Sequence, residues 1–268
     1  MNQNLSALRE KKLFLLDMDG TLYLGDDLFP DCLSFLNAIR ENGGRYLYLT
    51  NNSSKSVDKY VEKLTRLGIP AVAEDFFTST DAACAYLSAN YHGRKLYALG
   101  TASFRQQLIQ AGFPVTDHLE DDIDCLLMGF DTELTFQKLE DACILLGRGV
   151  EYLATNPDWV CPTEYGYVPD CGSVSQMLYN ATKRKPYFIG KPEPAIAQLA
   201  IQKAGYQPED AVLIGDRIYT DIACGVNAGI ATVLVFSGET TREDLAASQV
   251  KPAYSCQSIS NIYQVLRG

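Results

Sequence analysis

Two histidines, His92 and His118, are all that the 268 residues contain, and neither stands beside an obvious nucleophile. A hydrolase built on a histidine base, or a histidine-rich metal centre, has little material to work with. Positive charge is short as well. The chain carries 23 Lys and Arg against 33 Asp and Glu, a net charge of −10. Nucleic acids and anionic membranes are met by basic faces that displace counterions, so neither is expected as a partner. An anionic substrate must be met by local positive charge or by a metal ion. The eight cysteines form no C-x-x-C pair and lie mostly in apolar stretches. That pattern reads as reduced, buried thiols rather than a disulfide framework or a zinc site. No apolar run has the length needed to span a bilayer, and the opening stretch, MNQNLSALREKK, has no hydrophobic leader. A reducing cytoplasm is the expected location.

What is present is an ordinary globular composition, 47% hydrophobic and 21% charged, with enough chain for one large domain or two modest ones. Short apolar runs alternate with amphipathic segments throughout. Leu13 to Leu16, Arg45 to Leu49, Lys95 to Leu99, Asp124 to Met128, Val150 to Ala154, Ala211 to Ile214 and Ala231 to Val235 read as strands. Helical spacing covers Asp31 to Asn42, Ser56 to Leu67, Ala82 to Asn90, Phe136 to Leu146, Ser173 to Lys183, Ala195 to Ala204 and Ile259 to Leu266. The segment from Trp159 to Gly172, rich in Pro, Gly, Tyr and Cys, reads as a long loop, which in a compact domain signals binding.

The strand ends carry the chemistry. Leu13 to Leu16 runs into Asp17-Met18-Asp19-Gly20-Thr21, and residues two apart in an extended chain point the same way. Two ionised carboxylates about 4 Å apart repel by roughly 4 kcal/mol at an effective dielectric of ~20, so something positive should lie between them. Arg45 to Leu49 ends in Thr50-Asn51-Asn52. Ala211 to Ile214 ends in Gly215-Asp216-Arg217, with Asp221 a turn later. Lys191 stands just before a proline-initiated helix, where an anion is favoured. In an open parallel sheet, ligands bind beyond the carboxyl ends of the strands. These tips are therefore expected to converge on an oxygen-rich site of the kind that suits Mg²⁺, joined by a lysine and a threonine able to hold phosphate.

Asp17-Met18-Asp19-Gly20-Thr21, Thr50, Lys191 and Gly215-Asp216-Arg217 with Thr220-Asp221 resemble, in order, the four motifs of the haloacid-dehalogenase superfamily of phosphohydrolases. The wording LTNN at 49–52, GKP at 190–192 and the long α/β insertion between them are similar to its NagD-like, or p-nitrophenyl phosphatase, branch. The resemblance covers nearly the whole chain. It implies an α/β fold: a doubly wound, Rossmann-like parallel sheet in a discontinuous core, residues 1–80 and 183–268, with an α/β cap domain inserted at 81–182.

It also implies a Mg²⁺-dependent phosphatase acting on small phosphomonoesters through an aspartyl-phosphate. Asp17 would be the nucleophile and Asp19 the general acid and base. The Asp17 and Asp216 side chains and the Asp19 carbonyl would hold the metal, with Asp221 orienting its neighbours. Thr50, Asn51, Asn52 and Lys191 would bind the phosphoryl group. Apart from the resemblance, the unusually long, aromatic stretch from Asn156 to Ser173, with Asn156 and Asp158 at its start, is expected to face the leaving group. A phosphotransferase or phosphomutase with the same intermediate, and a non-catalytic phospho-receiver, remain as alternatives. A small phosphorylated metabolite is the expected partner, and pairing of two copies through the cap is the one protein contact the reading allows.

Overall fold

The computed structural model describes residues 5–163 and 165–268. Met1 to Asn4, at the start of the opening stretch, and Glu164, within the long loop, lie outside the described residues. The chain divides into two compact units. Unit 1 takes the described residues up to Thr50, Val61–Phe77 and Lys191–Gly268, and unit 2 takes Asn51–Tyr60 and Thr78–Gly190.

Unit 1 begins with β1 (Leu13–Leu16), whose four residues are all buried, as an unbroken apolar run demands. A small antiparallel hairpin follows, β2 (Tyr23–Leu24) and β3 (Asp27–Leu28), turning at Gly25 with a left-handed φ of 60°. Next come α1 (Cys32–Glu41), with Cys32, Phe35, Leu36 and Ile39 turned inward, then β4 (Arg45–Thr50), α2 (Val57–Arg66), whose residues from Val61 on belong to this unit, and β5 (Phe76–Thr78), which ends at the unit's border. Within unit 2 the chain forms α3 (Ser79–Asn90), β6 (Leu96–Leu99), α4 (Ala102–Gln110), β7 (Val115–Thr116), β8 (Cys125–Met128) and α5 (Phe136–Gly147). It continues through β9 (Glu151–Ala154), β10 (Val160–Thr163), β11 (Gly166–Pro169), α6 (Cys171–Thr182) and β12 (Tyr187–Phe188). Unit 1 then resumes with α7 (Pro194–Ala204), β13 (Ala211–Gly215), α8 (Ala223–Asn227), β14 (Ala231–Val235), α9 (Arg242–Ala247), β15 (Tyr254–Cys256) and α10 (Ile259–Leu266).

The main sheet has the order β15-β14-β13-β1-β4-β5, and every pair from β15 to β4 is parallel. Its centre, where β1 lies between β13 and β4, is the point at which the chain order reverses, the usual ligand position of a doubly wound sheet. Register fixes the rest: Leu16 stands opposite both Ile214 and Tyr48. Asp17, Thr50 and Asp216, the residues just beyond, therefore emerge on one edge.

Unit 2 has its own parallel sheet, β12-β9-β8-β6-β7, over a core that includes Tyr97, Leu126, Met128, Leu145 and Tyr152. The one polar atom that Tyr97 brings into this core is satisfied, its hydroxyl donating to Asp141 Oδ2 at 2.9 Å.

The long loop differs from expectation. Residues 160–163 and 166–169 pair as an antiparallel ribbon, β10 with β11, where the sequence reads as irregular. Pro162 and Pro169 and the exposed tyrosines Tyr165 and Tyr167 disguise it, because an exposed two-stranded ribbon has no buried face to impose alternation. The stretch after β13 also winds more tightly than a loop, as a π-helical turn over Ile218–Ile222 that leads into α8. Such turns are rare and cluster at functional sites.

Candidate active site

Within unit 1, the edge of the sheet gathers Asp17, Lys191, Asp216 and Asp221. Backbone pairing of Asp17 N–H with the Ile214 carbonyl, 2.9 Å, carries the β1–β13 ladder one residue past its strands and fixes where the side chain emerges. Lys191 is buried and its Nζ donates three ways: to Asp17 Oδ1 at 2.7 Å, to the Leu49 carbonyl at 3.1 Å and to Asp221 Oδ1 at 2.5 Å. One ammonium thus ties together β1, β4 and the π-helical turn. The second oxygen of Asp221 accepts from the Arg217 backbone N–H at 3.0 Å, so both of its oxygens are engaged. Arg217 itself pairs with Glu239, Nε to Oε2 at 2.8 Å.

Asp216 is built differently. It is almost wholly buried, its Oδ2 accepts from the Glu239 N–H at 2.7 Å, and its Oδ1 is buried with no hydrogen-bond partner among the described residues. An unpartnered buried carboxylate oxygen is costly and calls for an ion or water. Gly20 and Gly238 flank the same carboxylate so closely that a Cβ at either position would collide with it; at Gly20 the gap to Oδ2 would be 2.5 Å. The cradle is shaped by the lack of side chains. Oxygen atoms of Asp17, Asp216 and Asp221 lie within 4.8 Å of one another, a donor set that fits a hard divalent cation. With Asp221 already bound on both oxygens, Asp17 and Asp216 are the pair with capacity for it.

The electrostatics of the cluster follow from burial and crowding. Burial pushes the Asp17 carboxyl well above its ordinary 3.8; Lys191 opposes that shift, and Asp221 and Asp216 reinforce it. Burial, and after it the charge of Asp221, push Asp216 up to about 7. Burial alone would favour neutral Lys191, but Asp17 and Asp221 outweigh it and hold its pKa above the usual lysine range. Three crowded carboxylates facing one ammonium leave an excess of negative charge.

Asp19 lies on the loop between β1 and β2. It faces Lys63 and Tyr23, and its side chain keeps 36% exposure. Thr50 is buried at the end of β4. Of the residues expected to bind substrate, Asn51, Asn52, Asn156 and Asp158 belong to unit 2. Asn51 Nδ2 donates to Asp158 Oδ2 at 2.7 Å, Ser79 Oγ donates to the Asn51 carbonyl at 2.7 Å, and Asn156 Nδ2 bridges Asp158 and Asp170 at 2.9 and 3.1 Å. Asn156 and Asp158 are buried in this network. Asn52 Oδ1 accepts from the backbone and hydroxyl of Ser54, closing an Asx turn.

Sequence reading missed Gly238, Glu239 and Lys63. The first two follow β14, a fourth strand tip whose Ser237-Gly238-Glu239 wording was available as a signal. Lys63 sits in the last turn of α2 and carried none. Both histidines are exposed, and all eight cysteines are free thiols. No helix among the described residues is long and apolar enough to cross a membrane.

A parallel sheet with buried carboxylates and a buried lysine gathered at its switch point is the setting in which the comparisons fall, and the chain belongs to the haloacid dehalogenase-like hydrolases. The family's model matches residues 14–114, and a HAD-hydrolase-like model matches residues 188–262. Within that family the chain is similar to the NagD-like 4-nitrophenylphosphatases. A 4-nitrophenylphosphatase from Thermotoga maritima superposes with a TM-score of 0.90 at 36% identity, over 96% of this chain and 98% of that one. A glycerol phosphate phosphatase from Mycobacterium tuberculosis, crystallised with magnesium, superposes with a TM-score of 0.89 at 28% identity, over 96% and 78% of the two chains. An acid sugar phosphatase from Staphylococcus haemolyticus is 33% identical over 253 residues, 94% of this chain and 95% of its own.

Proposed function

We propose that this protein is a Mg²⁺-dependent phosphatase of small phosphomonoesters that works through an aspartyl-phosphate. The observation that carries the reading is the contrast between two buried carboxylates: Asp221 with both oxygens bound, and Asp216 with one oxygen unpartnered and facing the same cluster as Asp17. Asp17 and Asp216, with the Asp19 carbonyl, would hold Mg²⁺, which when bound neutralises charge on the transferring phosphoryl group.

The protein's own groups do the rest. An Asp17 oxygen attacks phosphorus while the bond from phosphorus to the ester oxygen breaks, and Asp19 gives that departing oxygen its proton. Asp19, now a carboxylate, takes a proton from water as the water oxygen attacks the phosphorus of the aspartyl-phosphate. Inorganic phosphate leaves and Asp17 is restored. Lys191 and Thr50 stabilise charge on the phosphoryl oxygens, and Lys191 also restrains the nucleophile before attack. Burial of Asp158 and Asn156 around the Asn51 side chain supports a role for both in fixing Asn51 within unit 2.

We assign unit 2 the part of a cap, and small sugar phosphates, glycerol phosphate and aryl phosphates as the substrates that fit the names of the similar proteins. The test is phosphate release from a panel of such esters with Mg²⁺ and with EDTA. Mg²⁺-dependent release from several of them supports the reading. No release from any ester, or equal release in EDTA, overturns it. A phosphotransferase would show itself as product phosphorylated on added alcohol in place of free phosphate.

A further inference from the structure

We propose that Lys63, seated on the ring of Tyr23, is the positioning residue that holds the Asp19 carboxyl group in the orientation from which it passes its proton to the departing ester oxygen. The inference rests on the reading of Asp19 as general acid given above. It deepens that reading by naming what aims the acid.

Both oxygens of Asp19 are addressed by groups from different elements. Lys63 Nζ, in the last turn of α2, lies 3.5 Å from Asp19 Oδ1, and the Tyr23 hydroxyl at the start of β2 donates to Asp19 Oδ2 at 3.4 Å. The two are not independent, because Lys63 Nζ also stands 4.0 Å from the centre of the Tyr23 ring. A cation over an aromatic face is held by the ring's quadrupole, so Tyr23 restrains the ammonium that restrains Asp19. Tyr23 is itself packed in place: its side chain is completely buried, and its carbonyl accepts from the Gly20 N–H at 2.8 Å. A second link, Arg66 Nη2 to Asp26 Oδ1 at 2.8 Å, fastens the same helix to the turn between β2 and β3.

The burial is graded in the way such a device needs. The Lys63 side chain is 18% exposed and that of Asp19 36%, so the lysine is covered while the carboxylate keeps an open side for an ester oxygen. An Asp side chain left free would divide its time among several rotamers, and only some aim at the leaving oxygen. A group misplaced by about 1 Å can lose about 10²-fold in rate.

The prediction separates by leaving group. A poor leaving group such as an alkoxide needs the proton, whereas 4-nitrophenolate hardly does. Lys63→Met, which keeps the stem over the ring and removes the charge, should lower kcat/KM for an alkyl phosphate about tenfold more than for 4-nitrophenyl phosphate. Lys63→Arg should recover most of that ratio. In an Asp19→Asn background, Lys63→Met should change the ratio no further, since its target is gone. A helix that merely lost a surface contact would lower both substrates alike and would add to Asp19→Asn. Thermal denaturation of each variant shows whether the fold is kept.

If Lys63→Met moves both esters equally, or adds its full effect on top of Asp19→Asn, the positioning role is wrong while the acid role stands. If Asp19→Asn itself shows no preference for the alkyl ester, the acid role fails and takes the inference with it. Should Lys63→Met not fold, Tyr23→Leu in the same cycle tests the same chain of contacts.

Discussion

At the scale of single residues, the site is a problem in placing charge. Asp17 is expected to be indispensable as nucleophile: Asp17→Asn should have no measurable turnover yet keep its circular dichroism spectrum, and wild-type-like phosphate release by that variant would reject the assignment. Asp216 makes a quantitative statement about pH. Its pKa in the folded protein is raised to about 7 from the ordinary 3.8, so its proton contributes stability that is complete below about pH 4 and is lost as pH rises through 7. Mg²⁺ competes with that proton. The rise in Tm produced by a fixed Mg²⁺ concentration should therefore be small at pH 5 and grow to its full size by pH 8, read by differential scanning fluorimetry against EDTA. A shift that is the same at all pH values would mean the cation does not bind at Asp216. These carboxylates were legible in the sequence because each follows a pure apolar strand. Lys63 was not, because a lysine on a polar helix face looks the same whether it meets water or Asp19.

Elements decide how much room these residues have. The turn after β14 packs Gly238 against the Asp216 carboxylate, on the side where the Glu239 N–H binds it. Gly238→Ala should push Asp216 out of that cradle and weaken Mg²⁺ binding about tenfold or more, in line with changes to groups that orient metal ligands. Isothermal titration with Mg²⁺ checks it; unchanged affinity would show that the carboxylate can shift at no cost. Strands and helices with a buried face were largely readable. The helix at Ile259–Leu266 and the strand at Ala231–Val235 match their expected bounds residue for residue. The elements that escaped have no buried periodicity of their own: the β10–β11 ribbon, the two-residue strands β2 and β3, and the π-helical turn at Ile218–Ile222. Their form is set by partners distant in sequence, and periodicity within a window cannot report those.

For the molecule as a whole, the order of the strands along the chain has a consequence in time. The central strand β1 pairs with β4, 32 residues on from Leu13 to Arg45, but also with β13, whose Ala211 stands opposite that same Leu13. Contacts so distant in sequence form slowly, because a long loop must be closed before they return any energy. Most of unit 2 is one continuous stretch, Thr78–Gly190, with mostly local strand pairing. In refolding followed by pulsed hydrogen exchange, the amides of β6, β8 and β9 should gain protection before those of β1 and β13; simultaneous protection would argue for one cooperative folding unit. On a ribosome the same order becomes absolute. Asp17 leaves the ribosome well ahead of Asp216, so the two carboxylates cannot share one site until the whole stretch of chain between them has emerged.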